Sequence, residues 1–166
     1  MKREFPIRKH PRLKGYNYSS NGAYFVTVCV KDRREMLGRV VVGRDALGAP
    51  TVILSEYGEF IYGEIEKIPV YYYGVTVPKS VVMPNHVHMI LMVARDGAPG
   101  ASRPTTALIP TIVTALKKKM NTRFGFNIWQ TSYHDHIIRD EAEYRRIWQY
   151  IDENPAEWVE DEYFVG

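Results

Sequence analysis

Residues 81–92 read Val-Val-Met-Pro-Asn-His-Val-His-Met-Ile-Leu-Met, and this run decides the expected fold. Apolar residues alternate with two histidines, which predicts a strand that begins after a turn at Pro84-Asn85. Successive side chains of a strand point to opposite faces, so His86 and His88 share one face. Two interpretations stay open at this point. The pair either begins a metal site, since histidine is the commonest metal ligand, or faces solvent on a half-exposed strand.

Hydrophobic patterning on either side of this run predicts the other elements of the chain. Strands are expected over residues 23–30, 74–82 and 129–138, with a small hairpin formed by 39–42 and 51–54. A first helix is expected to begin after the cap residue Ser55 and to end at Pro69. Two more helices are expected over 108–123 and 141–154, and the Gly- and Pro-containing segment 94–106 is typical of a mobile loop.

The order of these elements is strand, helix, strand, strand, helix, strand, with an inserted hairpin and one more helix at the end. This order predicts an α+β protein of the ferredoxin-like split βαβ type, an antiparallel sheet with helices packed on one face. The length of 166 residues suits one domain that spans residues 1–166. No apolar run reaches the length of a membrane span, and the single cysteine cannot form an internal disulfide. A cytoplasmic protein with no membrane partner is therefore expected.

Positive charge is concentrated at the N-terminus. Residues 1–15 contain six basic side chains and one acidic side chain, a local balance of +5, whereas the whole chain carries +3. Such a basic arm suits a phosphate backbone, and a solvated terminus is the alternative. A second basic cluster lies on the helix predicted over 108–123, and it consists of Lys117, Lys118, Lys119 and Arg123.

The end of the last predicted helix carries a candidate partner for the two histidines. Tyr150 and Asn154 are four residues apart, so they share a helical face. If this helix lies over the histidine strand, the Asn154 carbonyl oxygen becomes a third metal ligand and Tyr150 lies beside the metal. In the alternative interpretation, Tyr150 packs in the core and Asn154 only ends the helix.

Four ordered motifs make the chain resemble the HUH-type tyrosine transposases, most closely the REP-associated branch that acts on repetitive palindromic hairpins. They cover about residues 12–158 in the order that the family has. The motifs are residues 12–18 with 22–27, the Val-Met-Pro-Asn-His-Val-His run at 82–88, Trp129-Gln130 with residues 133–139, and Tyr150-Ile151 with Asn154-Pro155.

The resemblance implies a role for each matched position. His86, His88 and Asn154 would hold a divalent metal, magnesium or manganese, and Tyr150 would be the nucleophile. Tyr150 would attack a phosphodiester of single-stranded hairpin DNA, form a 5′-phosphotyrosine and release a 3′-hydroxyl. The expected function is therefore that of a metal-dependent single-stranded DNA endonuclease and strand-transferase associated with the nucleoid.

The same resemblance implies a use for the basic residues, because phosphate contacts set the register of a protein on DNA. Residues expected to contact DNA are Arg3, Arg8, Lys9, Arg12 and Lys14 of the arm, together with Lys117, Lys118 and Lys119 of the helix. His134 and His136 alternate along a predicted strand and share a face. They are expected to support the metal site, to contact DNA, or to hold the fold through hydrogen bonds.

Two other functions stay open on sequence alone. A non-catalytic module of the same fold could bind hairpin DNA or RNA with its sheet and basic arm. A metal-dependent hydrolase of small phosphate esters would have no need of Tyr150. A monomer and a homodimer that exchanges the nucleophile helix are both compatible with the sequence, and in the second arrangement Tyr150 acts in trans.

Overall fold

The computed structural model describes residues 21–42, 48–95 and 107–165. Six strands are present in these ranges: β1 (Gly22–Cys29), β2 (Gly38–Val42), β3 (Pro50–Leu54), β4 (Val75–Val82), β5 (His86–Val93) and β6 (His134–Ile138). The helices there are α1 (Glu56–Glu66), α2 (Ile68–Tyr71), α3 (Leu108–Phe124) and α4 (Glu141–Glu153). No helix in the described ranges has the length and apolar character that crossing a membrane requires.

The sheet topology confirms the predicted fold class. β4, β5, β1 and β6 form a four-stranded sheet in that order, and every neighbouring pair is antiparallel. β5 lies between β1 and β4, which is the arrangement of a split βαβ unit. β2 and β3 form the separate hairpin that the turn residues between them predicted.

Local sequence signals mark the starts of α1 and α4 and the end of α3. The Ser55 hydroxyl accepts a hydrogen bond from the Gly58 N–H, and the Asp140 carboxylate accepts one from the Glu143 N–H, so both residues act as N-caps. Gly125 follows α3 with φ of 81°, a left-handed conformation that glycine adopts without strain. These residues therefore fix where α1 and α4 begin and where α3 ends.

The two faces of the sheet are covered by different helices. On one face, α1 and α3 pack on alternating residues of β1 and β5, which include Tyr24, Val26, Val28, Val87, Met89 and Leu91. On the other face, Ile147 and Ile151 of α4 pack on Phe25, Ile90 and Ile138. The prediction that helices pack on one face of the sheet therefore holds for α1 and α3. The additional C-terminal helix covers the opposite face, where the histidines point.

Two predicted boundaries were wrong. Pro69 does not end the helical region but lies at the start of α2, where its fixed φ and missing N–H are tolerated. The strand predicted over 129–138 is shortened to β6, and Trp129 forms only an isolated bridge with Val30. Beyond this bridge, the carbonyls of residues 130, 131 and 132 accept hydrogen bonds from the Lys117 ammonium of α3, and the regular ladder resumes only at His134. Of the predicted loop over 94–106, residues 96–106 lie outside the described residues.

Gly58 allows α1 to approach the segment before β2 closely. A Cβ atom at this position would lie 1.9 Å from the backbone oxygen of Leu37, which also accepts a hydrogen bond from the Ser55 N–H. We expect Gly58→Ala to lower the free energy of unfolding by about 1–3 kcal/mol, because backbone must move to admit the methyl group. Urea unfolding followed by circular dichroism measures this change.

Gly63→Ala is the matched control for this prediction, since it lies in the same helix and its Cβ would meet no atom within 4 Å. The control is expected to raise the free energy of unfolding by about 0.5–1 kcal/mol, because alanine has the higher helix propensity. Equal stability of the two variants would contradict the close approach of Leu37 to α1.

Candidate active site

The histidine pair lies on β5 and points toward α4. Both side chains are buried, with 0% of His86 and 1% of His88 exposed, and their ring centroids are 4.4 Å apart. His86 Nδ1 lies 2.9 Å from Asn85 Oδ1. His86 Nε2 is buried and has no hydrogen-bond partner among the described residues. β5 therefore presents one imidazole nitrogen, His86 Nε2, that makes no hydrogen bond within the described residues.

His88 is held by the neighbouring strand. Its Nδ1 lies 2.7 Å from the hydroxyl of Thr27, the residue that pairs with it across β1 and β5. Burial lowers the pKa of His86 to about 3, with the nearby Asn154 amide opposing the shift, and burial also holds the pKa of His88 well below its usual value. Both imidazoles are therefore neutral near pH 7, which is the form that binds metals.

Tyr150 of α4 reaches the same pair. Its hydroxyl oxygen lies 3.3 Å from His88 Nε2, and its ring contacts Phe25 edge-on at a centroid distance of 6.1 Å. Burial raises the pKa of the Tyr150 phenol above its usual value, and the negative charges of Asp161 and Glu162 add to this shift. The phenol is therefore protonated near neutral pH. The contact forms within one chain, so it requires no exchanged helix.

Asn154 lies one helical turn after Tyr150 and is 1% exposed. Its Nδ2 donates a hydrogen bond of 2.6 Å to Asp161 Oδ2. Its Oδ1 is buried and has no hydrogen-bond partner in the described ranges. The structure therefore brings His86, His88, Tyr150 and Asn154 to one place, with the amide oxygen of Asn154 unused.

Asp161 is a member of this cluster that the sequence analysis missed. One ligand atom each from His86, His88 and Asp161 lie within 4.8 Å of one another. Burial raises the pKa of the Asp161 carboxyl, while hydrogen bonds from the Tyr163 N–H and Asn154 oppose that shift. The only signal in the sequence is an acidic run, Glu160-Asp161-Glu162, soon after Asn154-Pro155. Such a run is usually a solvated surface, so it did not suggest a buried carboxylate.

The segment after α4 also covers the histidines. The Tyr163 ring lies at a centroid distance of 4.4 Å from His86, and its backbone oxygen accepts a hydrogen bond from Asn85 Nδ2. Arg33 holds this segment in place, because it donates to the Glu162 carbonyl at 2.6 Å and lies over the Tyr163 ring. This cover explains why both histidines are shielded from water.

The predicted DNA contacts are only partly visible. Arg3, Arg8, Lys9, Arg12 and Lys14 lie outside the described residues. Lys118 is exposed on α3, whereas the ammonium of Lys117 donates to three backbone carbonyls and so has a role in folding. Lys119 forms an ion pair with the buried Glu64 and lies over the Tyr71 ring. Lys118 is exposed, Lys117 and Lys119 are half-buried, and contact of the helix lysines with DNA stays a prediction.

The two histidines of β6 have different surroundings. His136 Nε2 lies 2.6 Å from Glu143 Oε1, a contact that fastens the start of α4 to the sheet. His134 is exposed and pairs across the strands with Thr27, the same residue that contacts His88. His136 therefore has the hydrogen-bonded role that was one of the expectations. A role of His134 at the metal site stays a prediction.

Comparisons with known proteins add the following findings. No known protein-family profile matches the chain. An uncharacterized protein of Haemophilus influenzae is 31% identical over 176 aligned positions, which cover 95% of this chain and 93% of that protein. A REP-associated tyrosine transposase, solved bound to a REP hairpin, superposes with a TM-score of 0.61 at 21% identity, over 89% of this chain and 74% of that chain. The expected likeness to the REP-associated transposases is confirmed at the level of the fold.

Proposed function

Because this chain belongs to the same family as the Haemophilus influenzae protein and has the fold of a REP-associated tyrosine transposase, we propose that it is a transposase-like enzyme that cuts and rejoins single-stranded DNA at a hairpin. The observation that carries the proposal is the distance of 3.3 Å between the Tyr150 hydroxyl and His88 Nε2. Pure binding of DNA has no need of a half-buried phenol beside two neutral imidazoles.

The residues at this place fit a divalent cation. His86 Nε2 and Asn154 Oδ1 are both buried, and neither has a hydrogen-bond partner in the ranges that the structure describes. An unsatisfied buried polar atom costs about 1–3 kcal/mol, and a bound cation would remove that cost. His86, His88 and Asn154 would hold magnesium or manganese, as the sequence predicted. When bound, the cation supplies positive charge that stabilises both a phenolate and the charge that develops on the phosphate.

Tyr150 supplies the nucleophilic oxygen in the proposed reaction. The phenol gives up its proton, and its oxygen forms a bond to phosphorus while the bond from phosphorus to the 3′-oxygen breaks. The products are a 5′-phosphotyrosine ester and a 3′-hydroxyl, which has taken up one proton. Contacts of the Tyr150 ring with Phe25 and His88 hold the phenol in one direction, as in-line attack requires. The ester conserves the energy of the broken bond, so a second 3′-hydroxyl can reverse the step.

The partner in this proposal is single-stranded hairpin DNA. The basic side chains of residues 1–15 and Lys118 would contact its phosphates, and binding would weaken steeply with salt. The site forms within a single chain, so a homodimer is not required for Tyr150 to reach the histidines. Such a protein would act on the nucleoid in the cytoplasm.

A covalent-adduct assay tests the proposal. The full chain is incubated with labelled oligonucleotides that form a hairpin and carry single-stranded flanks. With Mn²⁺ we expect a protein–DNA adduct that resists denaturing electrophoresis and maps to Tyr150 by mass spectrometry, and with EDTA we expect none. If the hairpin binds in Mn²⁺ and no adduct forms, the enzymatic proposal is wrong.

Two observations favour a second candidate, a non-catalytic module that binds hairpin DNA or RNA. The Tyr163 ring packs against His86 while its backbone oxygen accepts a hydrogen bond from Asn85, and the pKa of the Tyr150 phenol is raised by burial. Both features disfavour attack as long as the cover stays in place. Under this candidate the hairpin binds tightly, and the adduct assay is negative for the parent protein.

A further inference from the structure

We propose that Asp161 is a direct ligand of the divalent cation, so that the site offers two imidazoles, one amide oxygen and one carboxylate. This inference rests on the proposed metal site and adds to it a ligand that comes from the segment after α4. No expectation from the sequence placed Asp161 at the site.

The distances permit direct ligation. One ligand atom each from His86, His88 and Asp161 lie within 4.8 Å of one another. Ligands bind divalent cations at about 2.0–2.3 Å, so two donors on opposite sides of one ion lie about 4–4.6 Å apart. Because three donors cannot all lie opposite one another, their atoms lie about 3–4 Å apart around one ion, so the side chains close by on the order of 1 Å for one ion to contact all three.

The carboxylate is already oriented by the groups around it. Asp161 Oδ1 accepts a hydrogen bond of 2.7 Å from the Tyr163 N–H, and Oδ2 accepts one of 2.6 Å from Asn154 Nδ2. An ionised carboxylate has about four lone-pair sites, so each oxygen keeps one for a cation. The bond to Nδ2 also determines which atom of the Asn154 amide is left over, and this atom is the buried and unpartnered Oδ1.

Charge gives the second argument for Asp161. The other three donors are two imidazoles and an amide, all neutral, and a divalent cation among buried neutral donors has no compensating charge from the protein. Arg33 adds further positive charge near this place, since its guanidinium lies over the Tyr163 ring. Asp161 supplies the one carboxylate of the cluster. Imidazole ligands suit transition-metal cations better than Mg²⁺, so Mn²⁺ is expected to bind here more tightly than Mg²⁺.

Mn²⁺ binding to the full chain in the absence of DNA tests this inference, with electron paramagnetic resonance used to count the unbound ion. Asp161→Asn is compared with Glu160→Gln, which removes the same charge from an exposed side chain one position earlier. We expect Asp161→Asn to raise the Kd for Mn²⁺ by about 10-fold or more, because ligand charge sets cation affinity. Glu160→Gln is expected to stay within about twofold of the parent, since an exposed charge is screened.

Thermal unfolding with and without Mn²⁺ gives a second measurement and shows that each variant is folded. We expect Mn²⁺ to raise the Tm of the parent and of Glu160→Gln, and to raise that of Asp161→Asn much less. Parent-like Mn²⁺ affinity of Asp161→Asn overturns the inference. Asp161→Ala shows the reason in that case. If Asp161→Ala binds Mn²⁺ weakly while Asp161→Asn binds it like the parent, Asp161 only positions the Asn154 amide, because asparagine can still accept the hydrogen bond from Asn154. Adduct formation at Tyr150 is assayed separately with DNA, so the proposed function can stand when this inference fails.

Discussion

Tyr150→Phe is expected to abolish cleavage and adduct formation, a loss on the order of 10⁴-fold or more, because no other residue replaces a missing nucleophile. The change removes one oxygen atom, which contacts His88 and interacts with the Asn154 side chain, and keeps the ring that packs against Phe25. Folding and hairpin binding are therefore expected to stay within about twofold of the parent, since the phosphate contacts come from other residues. Single-turnover cleavage and an electrophoretic binding assay measure the two quantities.

The matched control is Tyr144→Phe, which makes the same chemical change in α4. Tyr144 packs with Trp148 at a ring distance of 5.9 Å, and the structure records no contact of it with the histidines. The cleavage rate of Tyr144→Phe is expected to equal that of the parent. Parent-like cleavage by Tyr150→Phe would exclude a tyrosine intermediate and would favour the hydrolase of phosphate esters.

His86→Ala is expected to weaken Mn²⁺ binding by about 100-fold or more and to remove adduct formation with it, because the variant lacks a nitrogen ligand. His86 is a better residue than His88 for testing the metal site, since its Nε2 is buried without a hydrogen-bond partner among the described residues. His88, in contrast, contacts both Thr27 and Tyr150. Removing His86 therefore affects the proposed metal site while leaving the hydroxyl contact of Tyr150 intact.

Mn²⁺ titration of the folded variant, verified by near-ultraviolet circular dichroism, measures this effect. Thr76→Ala serves as the control, because Thr76 is an exposed residue of β4 in the same sheet. Unchanged Mn²⁺ affinity of His86→Ala would place the cation elsewhere. Any adduct that this variant still forms at Tyr150 would then form without His86 as a metal ligand.

Several features of the molecule were predictable because their causes are local. The period-2 pattern of residues 86–93 predicted β5 and placed His86 and His88 on one face. Ser55 and Asp140 cap helices in the structure, as their side chains and positions favour. The spacing of Tyr150 and Asn154 placed both on one face of α4, since residues four apart in a helix are neighbours.

Sequence patterns were less informative where a distant group decided the local structure. The segment 129–138 has the composition of a strand, but three of its carbonyls bind the ammonium of Lys117 from α3. Lys119 pairs with Glu64 across α1 and α3, a contact that the sequence did not indicate, and its contact with DNA stays a prediction. In both cases a single side chain reaches a partner more than ten residues away, and no periodic pattern records such a contact.

The sequence by itself determined which elements form, their order, and which side chains share a face, since backbone geometry and short-range capping set these properties. Only the tertiary structure decided that α4 packs on the histidine face of the sheet. It also decided that Asp161 and Tyr163 return to His86, held by Arg33 and Asn85. The segment after α4 has no hydrophobic period of its own, so its position depends on long-range hydrogen bonds and ring contacts that form only once the sheet and α4 have come together.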